Sequence, residues 1–469
     1  MKKPKSIYLN SYQTLIIDAN KQKKQCTAIV FYHRYKCDYV LHPNNILETN
    51  NLQSNIYKIT ISEQIAKDIL KDEKFEHLLQ LIPESNVIKL KRCPTLEHRL
   101  PGNLTSLSFS SEFDEPLLKG YLPPNLITLK LGAAFNQPIE EDTLPNTLKT
   151  LIFGEGFDYP IEPGVLPESL EVLKMINRDY ELGFQVGSLP PNLRVLTYSG
   201  SCEEIGLGVL PPSLDTLKNV PSGWISEINT LPNLKSLSLF KHRFQEPIVV
   251  SDLPASLTSL KVDYSTQLTS AMPSSIKNLN ICTAEYDVDE IFNDRSQYHL
   301  ETLTVDGNKL ESLEKLDIKH MYLSSFKTKG RNKMRDIPLG VETLRFSNNL
   351  VPIVDPNSIP ITVKKIIFEN NYTMATTGYI PNFVDELVVK SISKTRFPNK
   401  IVPDSIRTIT TTSMDDTIKS SNICVMPDKY HKILIRKIGK QYLVLGQSNN
   451  NFKAAIINKI EQVTKFLQK

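Results

Sequence analysis

Leu122-Pro123-Pro124-Asn125-Leu126-Ile127-Thr128-Leu129-Lys130-Leu131 decides the fold, because near-copies of it recur along most of the chain. Leu129 and Leu131 lie two residues apart. On an extended backbone both point to one side, while Thr128 and Lys130 point to the other. One such strand buries too little apolar surface to fold alone. Copies stacked at about 4.8 Å pair their backbones and share a single interior. Pro123 suits the position ahead of the strand because it has no N–H to give to the ladder.

Working outward, prolines that follow an aliphatic residue recur at a nearly constant step: Pro101, Pro123, Pro145, Pro167, Pro190, Pro211, Pro232, Pro254 and Pro273. The series resumes at Pro338, Pro360, Pro381 and Pro403. The gap between Pro273 and Pro338 is one position short of three such steps. It holds two degenerate copies, Leu300-Glu-Thr-Leu303-Thr-Val305 and Leu313-Glu-Lys-Leu316-Asp-Ile318. Ile82-Pro83 reads as a worn first copy. A fixed period of this length is the mark of a solenoid.

A second signature lies between the strands: Phe113-Asp-Glu-Pro116-Leu117, Phe135-Asn136-Gln137-Pro138-Ile139, Phe157-Asp-Tyr-Pro160-Ile161 and Phe244-Gln-Glu-Pro247-Ile248. Its proline disfavours helix, and its aromatic and aliphatic residues can wall off the far side of the coil. The spacing predicts a column of stacked rings that includes Phe135 and Phe157. Asn136 and Asp158 are placed to bond neighbouring loop amides. The far side of each coil is expected to be irregular, without long helices.

The pairing of L-P-x-x-L-x-x-L with F-N-x-P-I resembles the FNIP repeat, a 22-residue relative of the leucine-rich repeat. The resemblance runs roughly from Pro83 to Thr412 and is best from Leu100 to Val262; Phe135-Asn136-Gln137-Pro138-Ile139 carries it most fully. It implies a mostly β, leucine-rich-repeat-like solenoid of about sixteen 22-residue coils with a curved parallel sheet and small α/β caps at both ends. Many FNIP proteins begin with an F-box-like segment, which implies, as an alternative, a substrate-recognition subunit of a ubiquitin ligase. Positions 1–80 show no L-P opening followed by a short amphipathic helix.

Three segments follow. Residues 1–80 form an N-terminal mixed α/β cap, 81–415 the solenoid (degenerate over 274–337), and 416–469 a hairpin plus helix cap. Ala28–Tyr32 and Tyr39–Leu41 read as strands, and the spacing of Ile65, Ile69, Leu70, Phe75, Leu78 and Leu79 predicts a helix within Ser62–Leu81. Lys432–Arg436 and Gln441–Leu445 flank Gly439-Lys440 as a hairpin. Phe452, Ala455, Ile456, Ile460, Val463 and Phe466 predict an amphipathic helix over 451–468.

Composition narrows the function. The chain has 469 residues, and 55 Lys+Arg against 51 Asp+Glu leave a net charge of +4, too weak a field for a polyanion-coating protein. Hydrophobic residues make up 40%, which argues against a disordered chain. No run approaches the roughly 20 apolar residues of a membrane span. The N-terminal apolar stretch, Leu15-Ile16-Ile17, is too short for a signal-peptide core. Six scattered cysteines, none in a C-x-x-C pair, suit reduced thiols in a cytoplasmic protein.

No nucleotide-binding loop, nucleophile elbow or H-E-x-x-H motif is present in the sequence, and the eight histidines are scattered. The reading is therefore not an enzyme and needs no cofactor or metal; an enzyme site in the degenerate region or the tail is the least favoured alternative. The outward columns are more informative. One runs Ser106, Thr128, Thr150, Val172, Val195, Thr216, Ser236, Ser259, Asn278, Thr302; the next runs Ser108, Lys130, Ile152, Lys174, Thr197, Lys218, Ser238, Lys261. Lysines at alternate coils deter edge pairing, and they also suit an acidic partner. Candidate partner-binding residues are thus Lys130, Lys174, Lys218, Lys261, Thr128 and Thr150. The expected role is a monomeric, non-catalytic scaffold that presents an extended repeat surface to a protein partner. Nucleic acid is disfavoured because no aromatic side chains interleave with the lysines to stack on bases, and a membrane is not expected.

Overall fold

The computed structural model describes residues 87–240, 247–263, 265–307, 313–324, 337–347, 359–369 and 380–389, with further stretches at 8–9, 12–16, 29–33, 36–41, 56–61, 405–406, 408–411, 432–438, 441–447 and 452–458 and residue 462. The chain divides into two compact units, Met1–His242 and Arg243–Lys469.

The first unit opens with antiparallel neighbours β1 (Tyr8–Leu9), β2 (Tyr12–Ile16), β3 (Ile29–His33) and β4 (Lys36–Leu41). From there each strand pairs in parallel with the next: β5 (Ile56–Ile61), β6 (Lys89–Cys93), β7 (Ser106–Phe109), β8 (Thr128–Lys130) and β9 (Thr150–Ile152). The ladder continues through β10 (Val172–Met175), β11 (Val195–Tyr198), β12 (Thr216–Pro221) and β13 (Ser236–Phe240). Leu107, Leu129, Leu151, Leu173, Leu196, Leu217 and Leu237 are successive register partners. Leu126, Leu129, Leu148 and Leu151 are each fully buried, as a shared interior requires.

The L-P-x-x-L signature is a turn. Leu126 N–H donates to the Pro123 carbonyl at 3.1 Å, and the bond recurs from Leu148 to Pro145, Leu170 to Pro167 and Leu193 to Pro190. On the far side the rings of Phe113, Phe135, Phe157 and Tyr180 stack at centroid distances of 6.0, 6.2 and 6.3 Å. Beside them the Asn136 amide donates to Asp114 Oδ1 at 2.8 Å, and the Asp158 amide to Asn136 Oδ1 at 2.9 Å. Coils approach so closely here that a Cβ on Gly154 would collide with the Gly132 carbonyl. Where the aromatic column ends, Trp224 takes over. It precedes helix α1 (Ile225–Ile228), is fully buried, and donates its indole N–H to the Cys202 carbonyl at 3.0 Å.

The second unit carries two parallel sheets. A short one joins β14 (Ile248–Val249), β16 (Gln267–Thr269) and β18 (Glu285–Tyr286), while β15 (Ser259–Val262), β17 (Asn278–Asn280), β19 (His299–Val305) and β20 (Asp317–Leu323) begin the longer one. Helix α2 (Val288–Ile291) sits between β18 and β19, its first-turn amides accepted by Asp287. The longer ladder runs on through β21 (Thr343–Phe346), β22 (Lys365–Phe368), β23 (Glu386–Val389) and β24 (Thr408–Thr411). Pairing then turns antiparallel for β25 (Lys432–Ile438), β26 (Gln441–Gln447) and β27 (Phe452–Ile457).

The protein is a mostly β solenoid, and five details depart from expectation. Complete turns among the described residues number about eleven, against the sixteen expected of the whole chain. From β6 to β13, and through β15, β17 and β19, nearly all of each coil is described; beyond β19 the described residues are mainly rungs. The uniform step has also gone. Asn278, Thr302, His320 and Thr343 are successive register partners, yet the step shortens from Thr302 to His320 and lengthens again to Thr343. The second degenerate copy is shifted, because Met321 and Leu323, not Leu316 and Ile318, pair with Leu303 and Val305. Ile318 instead takes the place of the leading leucine, opposite Leu300.

The far side of the second unit is not irregular either. Ile248 and Leu268, both buried, are register partners in the short sheet, whose first strand begins on the aliphatic residue of the Phe244-Gln-Glu-Pro247-Ile248 copy. Lastly, residues 452–457 form strand β27 rather than a helix, paired along its length with β26. Edge pairing to an already formed hairpin overrides a helical stripe whose Ile456 remains exposed. The helix expected within 62–81, the worn copy at Ile82-Pro83 and most of the stripe after 458 lie outside the described residues.

Candidate recognition surface

In the first unit the predicted residues fall where the strand pattern puts them. Thr128 pairs in register with Thr150, and both are half-buried on the outward face. One column over, Lys130, Ile152, Lys174, Thr197 and Lys218 are successive partners. Alternate rungs separate the lysines by about 10 Å. Lys130 and Lys218 are exposed and Lys174 is half-buried. Lys261 belongs to the second unit, where Asp263 holds its ammonium at 2.8 Å.

Three other cations of the first unit are paired. Lys149 meets Glu171 at 2.6 Å, Arg194 meets Asp215 at 2.7 Å, and Lys119 meets Asp142 at 2.7 Å. The hydrogen bond from Lys149 holds the Glu171 carboxyl below its ordinary range. Hydrogen bonding to Asp142 raises the Lys119 ammonium. Among the described residues, Lys130, Lys174 and Lys218 have no such carboxylate.

Sequence reasoning missed a further ladder. The residue before the leading leucine bonds the preceding coil: Ser169 Oγ donates to the Leu148 carbonyl at 2.7 Å, Ser213 Oγ to Leu193 at 2.7 Å, and Asn125 Nδ2 to Gly102 at 3.0 Å. The signal was present as the recurring Asn, Ser or Thr in L-P-x-[NST]-L. Cys93 is a free, buried thiol. Burial pushes its thiol up to about 12, against a smaller opposing contribution from the Thr95 backbone. Among the described residues no group of three or more His, Cys, Asp or Glu is placed to hold a metal ion, and no helix is long and apolar enough to cross a membrane.

The second unit holds a cleft that the sequence reading also missed. Asn280, Thr304, Tyr322 and Arg345 are successive register partners on the outward face, in the same column as Lys261. With Ser324, Ser347 and Glu369 from the next column they line a cleft of about 460 Å³. The Arg345 guanidinium lies 4.9 Å from the Tyr322 ring centroid, and its Nε forms an ion pair with Glu369 Oε1. Ser324 Oγ donates to the Val305 carbonyl at 3.3 Å, and Ser347 Oγ donates to the Ser324 carbonyl. Reading Ile318-x-x-Met321-x-Leu323 as the coil would have put Tyr322 in the column of Lys261.

Comparison with known proteins fits the coils of the first unit. Residues 94–133 and 135–178 match the family model for the FNIP repeat. Those two stretches carry FNIP repeats. The matched FNIP coils contain Lys130, Lys174, Thr128 and Thr150, together with most of the aromatic column. Among solved structures the chain is similar to CroV588, described as a novel circular LRR protein, at 19% identity and a TM-score of 0.38, over 81% of this chain and 72% of that one. No curated protein matches the chain by sequence.

Proposed function

We propose that this protein is a non-catalytic recognition scaffold whose outward strand face takes an acidic protein partner. The observation that carries the reading is the column Lys130, Lys174 and Lys218, three cations without a carboxylate beside other cations that have one. A cation left unpaired on an ordered strand keeps its field for a partner, and complementary charge sets encounter rate and orientation. The threonine column beside it adds hydroxyl groups without adding mobile side chains. FNIP repeats support the reading as well, since stacked coils present a continuous surface rather than a single pocket.

The experiment is partner capture by the intact chain followed by binding measurements on the purified partner. Affinity should fall steeply with salt, and Lys130→Glu combined with Lys174→Glu should abolish it while the thermal melt stays unchanged. Undiminished binding by that folded double variant rejects the proposal.

A further inference from the structure

We propose that the cleft in the second unit binds a carboxylate set beside an amide N–H, with Arg345 as its anchor. This site does not depend on the lysine column. A guanidinium offers five N–H donors in a planar fork. Two constraints fix this one: the Tyr322 ring against the plane of the group, and the Glu369 carboxylate on Nε. The Nη nitrogens have no hydrogen-bond partner among the described residues, and the side chain is 34% exposed. An oriented fork with a free edge matches a carboxylate through two parallel N–H···O bonds.

The rest of the lining selects what the carboxylate is attached to. Ser324 and Ser347 have committed their hydroxyl hydrogens to the carbonyls of Val305 and Ser324, so their oxygens offer lone pairs to a donor on the ligand. An amide N–H is such a donor. Asn280 Oδ1 faces its own backbone at Cys282, which leaves Nδ2 to donate to a ligand carbonyl. Glu369 sets the charge. It neutralises Arg345, so a second negative charge on the ligand would meet repulsion, and a monocarboxylate is favoured over phosphate. A volume of about 460 Å³ lies within the roughly 300–1,000 Å³ of small-ligand sites. The same chemistry is offered by the C-terminus of a peptide and by a free N-acyl amino acid.

The test uses the full chain and saturation-transfer NMR with N-acetyl-alanine, its N-methylamide, and a decapeptide ending in a free alanine carboxylate; inorganic phosphate serves as competitor. The acid should bind and the N-methylamide should not, with phosphate competing poorly. Tighter binding of the decapeptide assigns the site to peptide ends, and equal binding assigns it to small acids; both support the proposal. Arg345→Gln should weaken the acid by about tenfold or more. Arg345→Lys, which keeps the charge but loses the fork, should also weaken it. Glu369→Gln should tighten it by about threefold, because the charge opposing the ligand is gone. A purely structural Arg345–Glu369 pair would instead weaken binding on either side. If Arg345→Gln fails to fold, the other two variants carry the test. The proposal is overturned if the N-methylamide binds as well as the acid, if phosphate binds more tightly, if both Arg345 variants bind normally, or if Glu369→Gln weakens binding.

Discussion

Leu129→Ala tests whether the coils share one interior. Leu129 is fully buried, and its register partners Leu107 and Leu151 are buried to within 1%. Deleting the isobutyl branch to a methyl removes three carbons, or about 2.4 kcal/mol of transfer free energy at ~0.8 kcal/mol each. A cavity term adds to this, giving about 3–5 kcal/mol, because the neighbouring leucines are pinned by ladder bonds and cannot collapse into the gap. For a cooperative unit spanning Met1–His242, roughly 2–4 °C per kcal/mol predicts a fall in Tm of about 6 °C or more. Calorimetry of the full chain reads the shift. Ile127→Ala, two positions earlier in the same coil but 46% exposed, is the control and should stay within about 0.5 kcal/mol. Equal shifts from the two variants would refute the inward and outward assignment, and with it the shared interior.

Further expectations follow from the ladders and the buried thiol. Phe135→Ala should cost about 3–5 kcal/mol by calorimetry, since the ring is fully buried between Phe113 and Phe157. Gly154→Ala should lower Tm although it adds only a methyl group, because that methyl meets the Gly132 carbonyl. Asn136→Ala and Asp114→Ala should each cost about 1 kcal/mol and be close to additive in a double-mutant cycle, because they break different bonds: Asp114 Oδ1 accepts from the Asn136 backbone N–H, which alanine keeps, while Asn136 Oδ1 accepts from the Asp158 N–H. The Cys93 thiol is raised on folding, so the folded state keeps a proton that the unfolded chain releases above about pH 9. Its contribution to stability is whole below that pH and is lost at about 1.4 kcal/mol per unit as pH climbs towards 12. Cys93→Ala should flatten that part of a pH–stability curve measured by chemical denaturation.

Legibility tracked regularity. Leu129 and Leu131 announced their side of the strand because period two is a property of extended backbone, and the aromatic column followed from Phe135 recurring at a fixed step. The polar ladder of Asn125, Ser169 and Ser213 was legible in principle, but a residue outside the apolar pattern draws no attention until its carbonyl partner is seen. Met321 was hidden for a different reason. Leu313, Leu316 and Ile318 mimic the motif five residues too early; both trios are buried, and only pairing with Leu303 decides which one forms the rung. The stripe at 452–457 failed because amphipathic spacing is a local preference, while the edge of β26 is a tertiary fact.

The slipped register explains why the cleft lies where it does. In the first unit each coil fills its outward column with a short hydroxyl, an aliphatic side chain or a lysine, and uniform steps keep those side chains parallel and apart. In the second unit the uneven steps from Asn278 to Thr302, His320 and Thr343 break that uniformity. The column beyond Thr304 receives Tyr322 and Arg345 on adjacent rungs, about 4.8 Å apart, close enough for guanidinium and ring to stack. Glu369 reaches Arg345 from the rung after that, one column across. A perfectly even repeat yields a surface with the same chemistry at every rung, which suits an extended partner. Only where the repeat is imperfect do dissimilar side chains converge, and convergence is what a small ligand requires. The register slip that sets Tyr322 beside Arg345 is therefore what gathers dissimilar side chains into this cleft of the second unit. Restoring a consensus coil, with Tyr322→Thr and Arg345→Lys together, should leave the ladder intact and erase the cleft.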